Sequence, residues 1–258
     1  MDGHSPVLAS TNTAIVSYDP AYGYEIAHIV RDGLERMYGE KAENVIYYLT
    51  VYNEPIVQPA EPEGVEVEGI LRGMYLVTPG SMEGVGEDAR RAQILASGVG
   101  IAWAHEAQEL LKNDYGVVAD VWSVTSWGEL RREGLTIDEA RFHDPFGEHP
   151  KTWVEQKLEG APGPVVAVSD YMRAVPDQIR QWVPGEYTTL GADGFGFSDT
   201  RATARRFYNI DGPSVAVAVL QSLAATGEVP AQWATEAAAK YKLDDVTAGA
   251  SGNAGGDA

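Results

Sequence analysis

The run Leu190-Gly-Ala-Asp-Gly-Phe-Gly-Phe-Ser-Asp-Thr-Arg-Ala-Thr-Ala-Arg-Arg-Phe207 places three glycines between a β-forming segment and a helical one. Gly191, Gly194 and Gly196 admit backbone angles or close approaches that side chains forbid, and Ser198 or Asp199 is suited to cap a helix beginning near Thr200. Upstream, Glu186 to Leu190 is short and rich in β formers. Downstream, Thr200 to Phe207 carries Arg201, Arg205 and Arg206 on a helix too short to stand by itself. A strand that turns this sharply into a short helix needs a sheet beneath it. Glycine spacing separates a ligand-free turn from a phosphate cradle only weakly, and both readings stay open.

Outward from this junction, the chain from Arg91 alternates strand and helix. Ala92 to Ala96 reads as a strand, Ser97-Gly98-Val99-Gly100 as a turn, and the following segment as a helix with Ile101, Ala104, Ala107, Leu110 and Leu111 on its buried face. The turn lacks the third glycine and the later acidic partner of a dinucleotide fingerprint, so a plain strand-to-helix turn is preferred to an anion site. Next come a strand over Val117 to Val124, a helix or loop from Trp127, a strand over Pro164 to Val168 and an amphipathic helix around Met172 to Trp182. Such alternation predicts a mostly parallel sheet with helices on both faces. Helices over Ser214 to Ala225 and Ala231 to Tyr241 close this unit. Asp244 to Ala258, a Gly, Ala, Ser and Asp tail with little to bury, is expected to be disordered.

Before Arg91 a second α/β pattern appears. Ala14 to Tyr18 is a strand, and Asp19-Pro20 supplies a cap followed by proline at the first helical position. Tyr22, Ile26, Ile29, Val30, Gly33, Leu34 and Met37 then share one helical face, with Gly39 where a left-handed C-cap is expected. Asn44 to Tyr52 reads as a buried strand, making a parallel crossover unit. Asn53 to Gly64 holds three prolines and is a loop, which puts Glu54 just past a strand end, where open α/β sheets place ligands. The alternative is a solvated acidic loop residue among Glu61, Glu63, Glu66 and Glu68. Gly73 to Thr78 adds a further strand, and the Gly- and Pro-bearing stretch Pro79 to Asp88 reads as a linker between residues 1–88 and 89–243.

Composition bounds the function. The 258 residues carry 38 acidic against 19 basic side chains, a net charge of −19, which opposes binding to nucleic acid or an anionic membrane. With no cysteine there is neither a disulfide framework nor a thiolate nucleophile, and no apolar run approaches a membrane span, so a cytoplasmic protein is expected. The five histidines, His4, His28, His105, His143 and His149, show no metal-site spacing, and no metal site is expected. No nucleophile elbow, Walker loop or zincin motif is present. Residue chemistry alone stops at α/β domains of unread function.

Asp193-Gly-Phe-Gly-Phe-Ser-Asp-Thr-Arg201 resembles the C-terminal domain of the homodimeric, bacterial-type pyruvate dehydrogenase component, a thiamine-diphosphate enzyme of the transketolase-like superfamily. Five further segments agree in order: Asp2-Gly-His-Ser5, Ser17-Tyr-Asp-Pro-Ala-Tyr22, Asp32-Gly-Leu-Glu-Arg-Met-Tyr-Gly39, Val121-Trp-Ser-Val-Thr-Ser126 and Ser169-Asp-Tyr-Met172. The resemblance implies that residues 1–88 are the end of a pyrimidine-binding-type α/β domain and 89–243 a transketolase C-terminal-like domain. It also implies decarboxylation of pyruvate and transfer of the acetyl unit to the lipoyl group of dihydrolipoyl acetyltransferase, within a homodimer. Thiamine diphosphate and Mg²⁺ would be the cofactors, with the diphosphate and metal ligands and the tautomerising glutamate lying outside this chain, which by length would be only part of the enzyme. Carried over by position, Asp2 and His4 approach the substrate, Tyr18 and Tyr22 stand near the cofactor, and Asn53-Glu54 forms the loop after the next strand. Where relatives place a pocket histidine in that loop, this chain has Val57. Two other readings remain: a non-catalytic dimerisation or interaction fragment, and the matching part of another 2-oxo acid dehydrogenase.

Overall fold

A computed structural model of the chain describes residues 3–194, 196 and 198–251. Two sheets carry the fold. The first pairs β1 (Ile15–Tyr18) with β2 (Ile46–Leu49) in parallel, joined by α2 (Gly23–Tyr38). The second contains β3 (Tyr75–Thr78), β4 (Arg91–Ala96), β5 (Val118–Ser123), β6 (Val165–Val168) and β7 (Tyr187–Leu190), ordered β3-β5-β4-β6-β7. β4 to β7 run parallel, and β3 lies antiparallel on β5 at one edge. The expected α/β class with a mostly parallel sheet is what the chain adopts.

Side-chain alternation explains the layering. Ala92, Ile94 and Ala96 of β4 turn to the face covered by α4 (Gly100–Tyr115) and α8 (Gly212–Ala225), whereas Leu95 turns to the face holding Trp122, Trp127, Leu130, Trp153 and Trp182. That second face is covered by α5 (Trp127–His143), α6 (Trp153–Leu158) and a 3-10 helix at Pro176–Trp182. All four residues of β6 are buried, as a strand covered on both faces requires. From β4 the chain crosses to β5 on one side and later to β6 on the other. The order therefore reverses beside β4, and the carboxyl ends of β4 and β6 flank the position where doubly wound sheets bind ligands.

Several local expectations are corrected. α2 begins at Gly23 rather than after Asp19-Pro20, because the Glu25 carboxylate reaches back to accept the amides of Ala21 (2.6 Å) and Tyr22 (3.0 Å). Gly39 is extended, at φ −72° and ψ −174°, not left-handed; a Cβ there would collide with the Glu35 backbone and side chain, so close approach is what calls for glycine. β2 is not a buried strand. It is the open edge of a two-stranded sheet, and Ile46 is 62% exposed.

The strand at 75–78, read as closing the first unit, pairs instead with β5 through Tyr75 and Ser123. The break between the sheets thus falls between Leu49 and Tyr75, ahead of residue 88. The helix expected over Met172 to Trp182 is 3-10 and starts at Pro176, held at i, i+3 spacing by Asp177 and Arg180 (2.7 Å). α7 (Arg201–Phe207) is capped by Thr200, whose hydroxyl accepts the Thr203 amide at 3.3 Å, while Asp199 accepts the Thr200 amide. The tail expectation is corrected over Val246–Ser251, a 3-10 helix against α7, preceded by Asp245, which accepts from both the amide and the hydroxyl of Thr247. Residues 252–258 lie outside the described residues. α9 (Gln232–Lys240) follows α8 as expected.

Candidate functional site

The carboxyl end of β1 is tied to the carboxyl ends of the second sheet. The Asp19 amide donates to Thr125 O at 2.7 Å, and the Gly98 amide donates to Asp19 O at 3.0 Å. The buried Asp19 carboxylate accepts from the hydroxyls of Thr50 (2.5 Å) and Tyr52 (2.6 Å), both at the end of β2. Burial raises its pKa, and these hydrogen bonds oppose the shift. Gly98 has φ +50°, and a Cβ on it would strike Tyr52 Oη and Asp19 Oδ1, so this seam needs glycine in both conformation and space. Within the Ser97 to Gly100 turn and the helix start, the amides of Gly98, Gly100 and Ile101 all donate to protein carbonyls.

A second knot lies at Glu25, fully buried on α2. Its Oε2 accepts the two amides named above, and its Oε1 accepts the hydroxyls of Tyr75 and Ser123 at 2.7 Å each. Tyr24 completes the chain with a 2.7 Å contact to Tyr75 Oη. Burial pushes the Glu25 carboxyl up, against the pull of four donors. Arg132 closes the free side of β1 by donating to Thr13 O and Ile15 O at 2.6 and 2.7 Å. The first sheet is thus bound to the second through buried polar groups with satisfied donors.

Between these strand ends opens a cleft of about 390 Å³, lined by Tyr52, Glu54, Val99, Asp170 and Arg205 among others. Glu54 enters from the β2 loop and is gripped by both arms of the Arg205 guanidinium, with Nη1 to Oε1 at 3.1 Å. Arg205 also stacks over the Trp103 ring, 4.9 Å from its centroid. Arg201, in the first turn of α7, donates to Asn53 Oδ1 of the β2 loop at 3.2 Å. Asp170 lies two residues past the end of β6. Burial, reinforced by the charges of Asp19 and Glu54 and opposed by Arg205, pushes its carboxyl up to about 6.

The residues singled out from sequence separate in space. Glu54 lines the cleft. Tyr18 lies behind it, buried, with its hydroxyl donating to Leu71 O at 2.6 Å. Tyr22 is buried at the start of α2 and stacks on Tyr24 at 5.4 Å. His4 is exposed at the start of α1 (Ser5–Ser10), beside Gly3, whose carbonyl accepts the Met172 amide at 2.7 Å. Asp2 lies outside the described residues. Val57 is 95% exposed. Sequence reasoning passed over Asp19, Glu25, Asp170 and Arg205. For Asp170 the signal was its place two residues past the end of a fully apolar strand. For Asp19 it was hidden by an equally good helix-cap reading.

Among the described residues no three His, Asp or Glu side chains are placed to hold a metal ion. None of the described helices is long and apolar enough to cross a membrane.

The model of the transketolase-like TK C-terminal domain matches residues 73–211, and that of the pyruvate dehydrogenase E1 component middle domain matches residues 1–59. The chain belongs to the transketolase-like C-terminal domain family. Its match begins just ahead of β3, in keeping with the pairing of that strand in the second sheet. Pyruvate dehydrogenase E1 components are similar throughout: that of Mycolicibacterium smegmatis is 58% identical over 247 residues, that of Mycobacterium tuberculosis 53% over 247, and that of Escherichia coli 43% over 244. These alignments cover 96%, 96% and 94% of this chain but 26%, 26% and 27% of the relatives. The chain therefore spans about a quarter of their length. Among solved structures, a split-gene transketolase described as an inactive β4 tetramer aligns with TM-score 0.59 and 15% identity over 87% of this chain and 63% of that one. A mutant transketolase from Pichia stipitis gives 0.56 and 18%, over 87% and 27%. At such identities the likeness is one of fold. The resemblance drawn from Asp193 to Arg201 is shown by the relatives.

Proposed function

We propose that this chain supplies the C-terminal share of a thiamine-diphosphate-dependent pyruvate dehydrogenase E1 component, which decarboxylates pyruvate and reductively acetylates the lipoyl group of the dihydrolipoyl acetyltransferase. The observation that carries the reading is collinearity: identity of 53 to 58% with the E1 components of Mycolicibacterium smegmatis, Corynebacterium glutamicum and Mycobacterium tuberculosis runs across both sheets, over 96% of the chain. Self-association as a homodimer and a cytoplasmic setting belong to the same proposal.

The same proposal places the ligands of the cofactor's diphosphate and metal outside this chain, and the described residues support that placement. No metal-ligating trio converges, Arg205 is held by Glu54, and Arg201 donates to Asn53. No step through thiamine diphosphate is derived from them. What these residues do is hold geometry. Asp19 and Glu25 fix the ends of β1, β2 and α2 against the second sheet, which presents the His4 segment and the Glu54 loop from a rigid base. His4, Tyr18, Tyr22 and Glu54 are proposed as the substrate- and cofactor-side residues of this share, with Tyr18 and Tyr22 acting from within the packed wall. The open edge of β2, with Ile46 62% and Tyr38 78% exposed, favours the added reading that this share docks onto complementary chain.

The test mixes the purified chain with a Mycolicibacterium smegmatis E1 component lacking its matching 247 residues. Pyruvate-dependent reduction of an electron acceptor, with thiamine diphosphate and Mg²⁺, is expected from the mixture and from neither part alone. Turnover by this chain alone would refute the assignment of the cofactor ligands elsewhere, and an inactive, non-associating mixture would count against the E1 reading.

A further inference from the structure

The junction that follows β7 does more than turn the chain into α7. Past the ends of β6 and β7 the two segments stay joined: the Ser169 amide donates to Leu190 O at 3.1 Å, the Ala192 amide to Tyr171 O at 2.8 Å, and the Arg173 amide to Asp193 Oδ1 at 2.9 Å. Asp193 also holds the Arg173 guanidinium, with Nε to Oδ2 at 2.6 Å. The loops leaving these two strands are thus closed into one ribbon. It lies at the carboxyl end of the sheet, where doubly wound folds bind their ligands.

That ribbon carries the N-terminal segment. Met172, flanked by the two residues that bond to the junction, donates its amide to Gly3 O at 2.7 Å. Gly3 also rests directly on the junction: a Cβ there would come within 2.8 Å of Ala192 O, closer than a Cβ approaches any heavy atom. The next residue is His4, whose carbonyl accepts the Val7 amide at 3.0 Å as α1 begins. The backbone of His4 is therefore held between the ribbon and α1. Asp193 and Arg173 have side chains 41% and 58% exposed, and an exposed ion pair adds little to global stability. What Asp193 supplies is an acceptor for a backbone amide one residue from the bond to Gly3, which constrains where that bond lies.

We propose that Asp193 is a positioning residue: by holding the Arg173 amide it keeps Met172 and Gly3 in register and so sets the His4 segment on the substrate side of the site. The substrate side rests on the E1 reading. The linkage from Asp193 to Gly3 rests on this chain alone, so the two are tested separately.

In the full chain, hydrogen–deuterium exchange of the Met172 amide should quicken about tenfold or more in Asp193→Ala. In Asp193→Asn, whose amide oxygen still accepts from the Arg173 amide, it should change by less than about threefold. The Mycolicibacterium smegmatis E1 component carrying this chain in place of its matching 247 residues reads the catalytic side. There kcat/KM for pyruvate should fall about tenfold in Asp193→Ala and stay within about threefold of the parent in Asp193→Asn, with melting temperatures within about 2 °C of the parent. Gly3→Ala displaces the same segment without touching Asp193 and should reproduce the loss. Unchanged Met172 exchange in Asp193→Ala, an active chimera whose kcat/KM for pyruvate is indifferent to Asp193→Ala, or a loss of activity that follows a fall in melting temperature would overturn the proposal. An inactive parent chimera would count against the E1 reading, and the exchange rates would still decide the linkage.

Discussion

Replacing Glu25 tests how the two sheets are joined. Its carboxylate accepts four hydrogen bonds while fully buried, two from backbone amides at the start of α2 and two from hydroxyls of Tyr75 and Ser123 on the second sheet. In Glu25→Ala all four donors lose their acceptor and a void opens. A buried donor without a partner costs about 1–3 kcal/mol, and breaking a buried charged network typically costs about 3–5 kcal/mol, so a loss of about 4 kcal/mol is expected. Glu25→Gln should behave differently. Its amide oxygen can face the two backbone amides, which only donate, and its NH₂ can face the two hydroxyls, which can rotate to accept, with Tyr75 passing its proton on to Tyr24. A cost of about 1 kcal/mol is expected for losing the charge-assisted bonds.

The pH dependence separates the variants further. Burial raises the folded-state pKa of Glu25, so the parent's contribution from this group is full below the unfolded pKa of about 4.3 and is lost as pH rises through the folded value. Glu25→Gln has no such loss and should gain on the parent as pH rises. Urea unfolding of the full chain, followed by tryptophan fluorescence at several pH values, reads both effects. If Glu25→Ala falls within 1 kcal/mol of the parent, or Glu25→Gln is as damaging as Glu25→Ala, the reasoning is refuted.

Asp170, pushed up to about 6 from 3.8, has the same sign. Its stabilising contribution is present below pH 3.8 and lost through pH 6, so Asp170→Asn should gain on the parent by about 3 kcal/mol between pH 4 and pH 7.5 in urea melts, at about 1.4 kcal/mol per pKa unit. A difference that stays constant with pH would contradict the buried setting of Asp170. Gly98→Ala, at φ +50° and against Tyr52 and Asp19, should cost about 2–4 kcal/mol, whereas Gly84→Ala, with φ +80° but open space around it, should cost about 1 kcal/mol from backbone strain alone. Equal melting temperatures would show that the seam at Asp19 yields. A double-mutant cycle of Glu54→Ala and Arg205→Ala should return a coupling of about 1–3 kcal/mol, since Arg205 is only 15% exposed and bidentate; a coupling near zero would show the pair to be solvated.

Much of this architecture was legible in the residues because the relevant signals are local. Apolar runs of the right length marked β4, β5 and β6, β-forming residues marked β7, and the helical faces of α2 and α4 showed their periodicity. What escaped was non-local. β3 looked like the last strand of its own unit because its sequence records neither the antiparallel pairing to β5 nor the hydrogen bond from Tyr75 to Glu25. β2 read as buried because apolar composition alone cannot tell an interior strand from one at an open edge. In the candidate site, Glu54 was visible as a carboxylate past a strand end. Its partner Arg205 stands 151 positions away, and only the fold brings the two together. Asp19 and Glu25 were concealed by local readings, a cap and an amphipathic helix, that accounted for them without a buried role.

The proposed place of this chain in an E1 component is tested most directly by a chimera. The 247 residues of the Mycolicibacterium smegmatis E1 component that match this chain are replaced by it, and pyruvate-dependent acetylation of a lipoyl domain is measured with thiamine diphosphate and Mg²⁺ present. Activity within about tenfold of the unaltered relative is predicted, because the seams at Asp19, Glu25 and Glu54–Arg205 lie within the exchanged segment and travel with it. A folded, correctly assembled chimera without detectable acetylation would contradict the assignment.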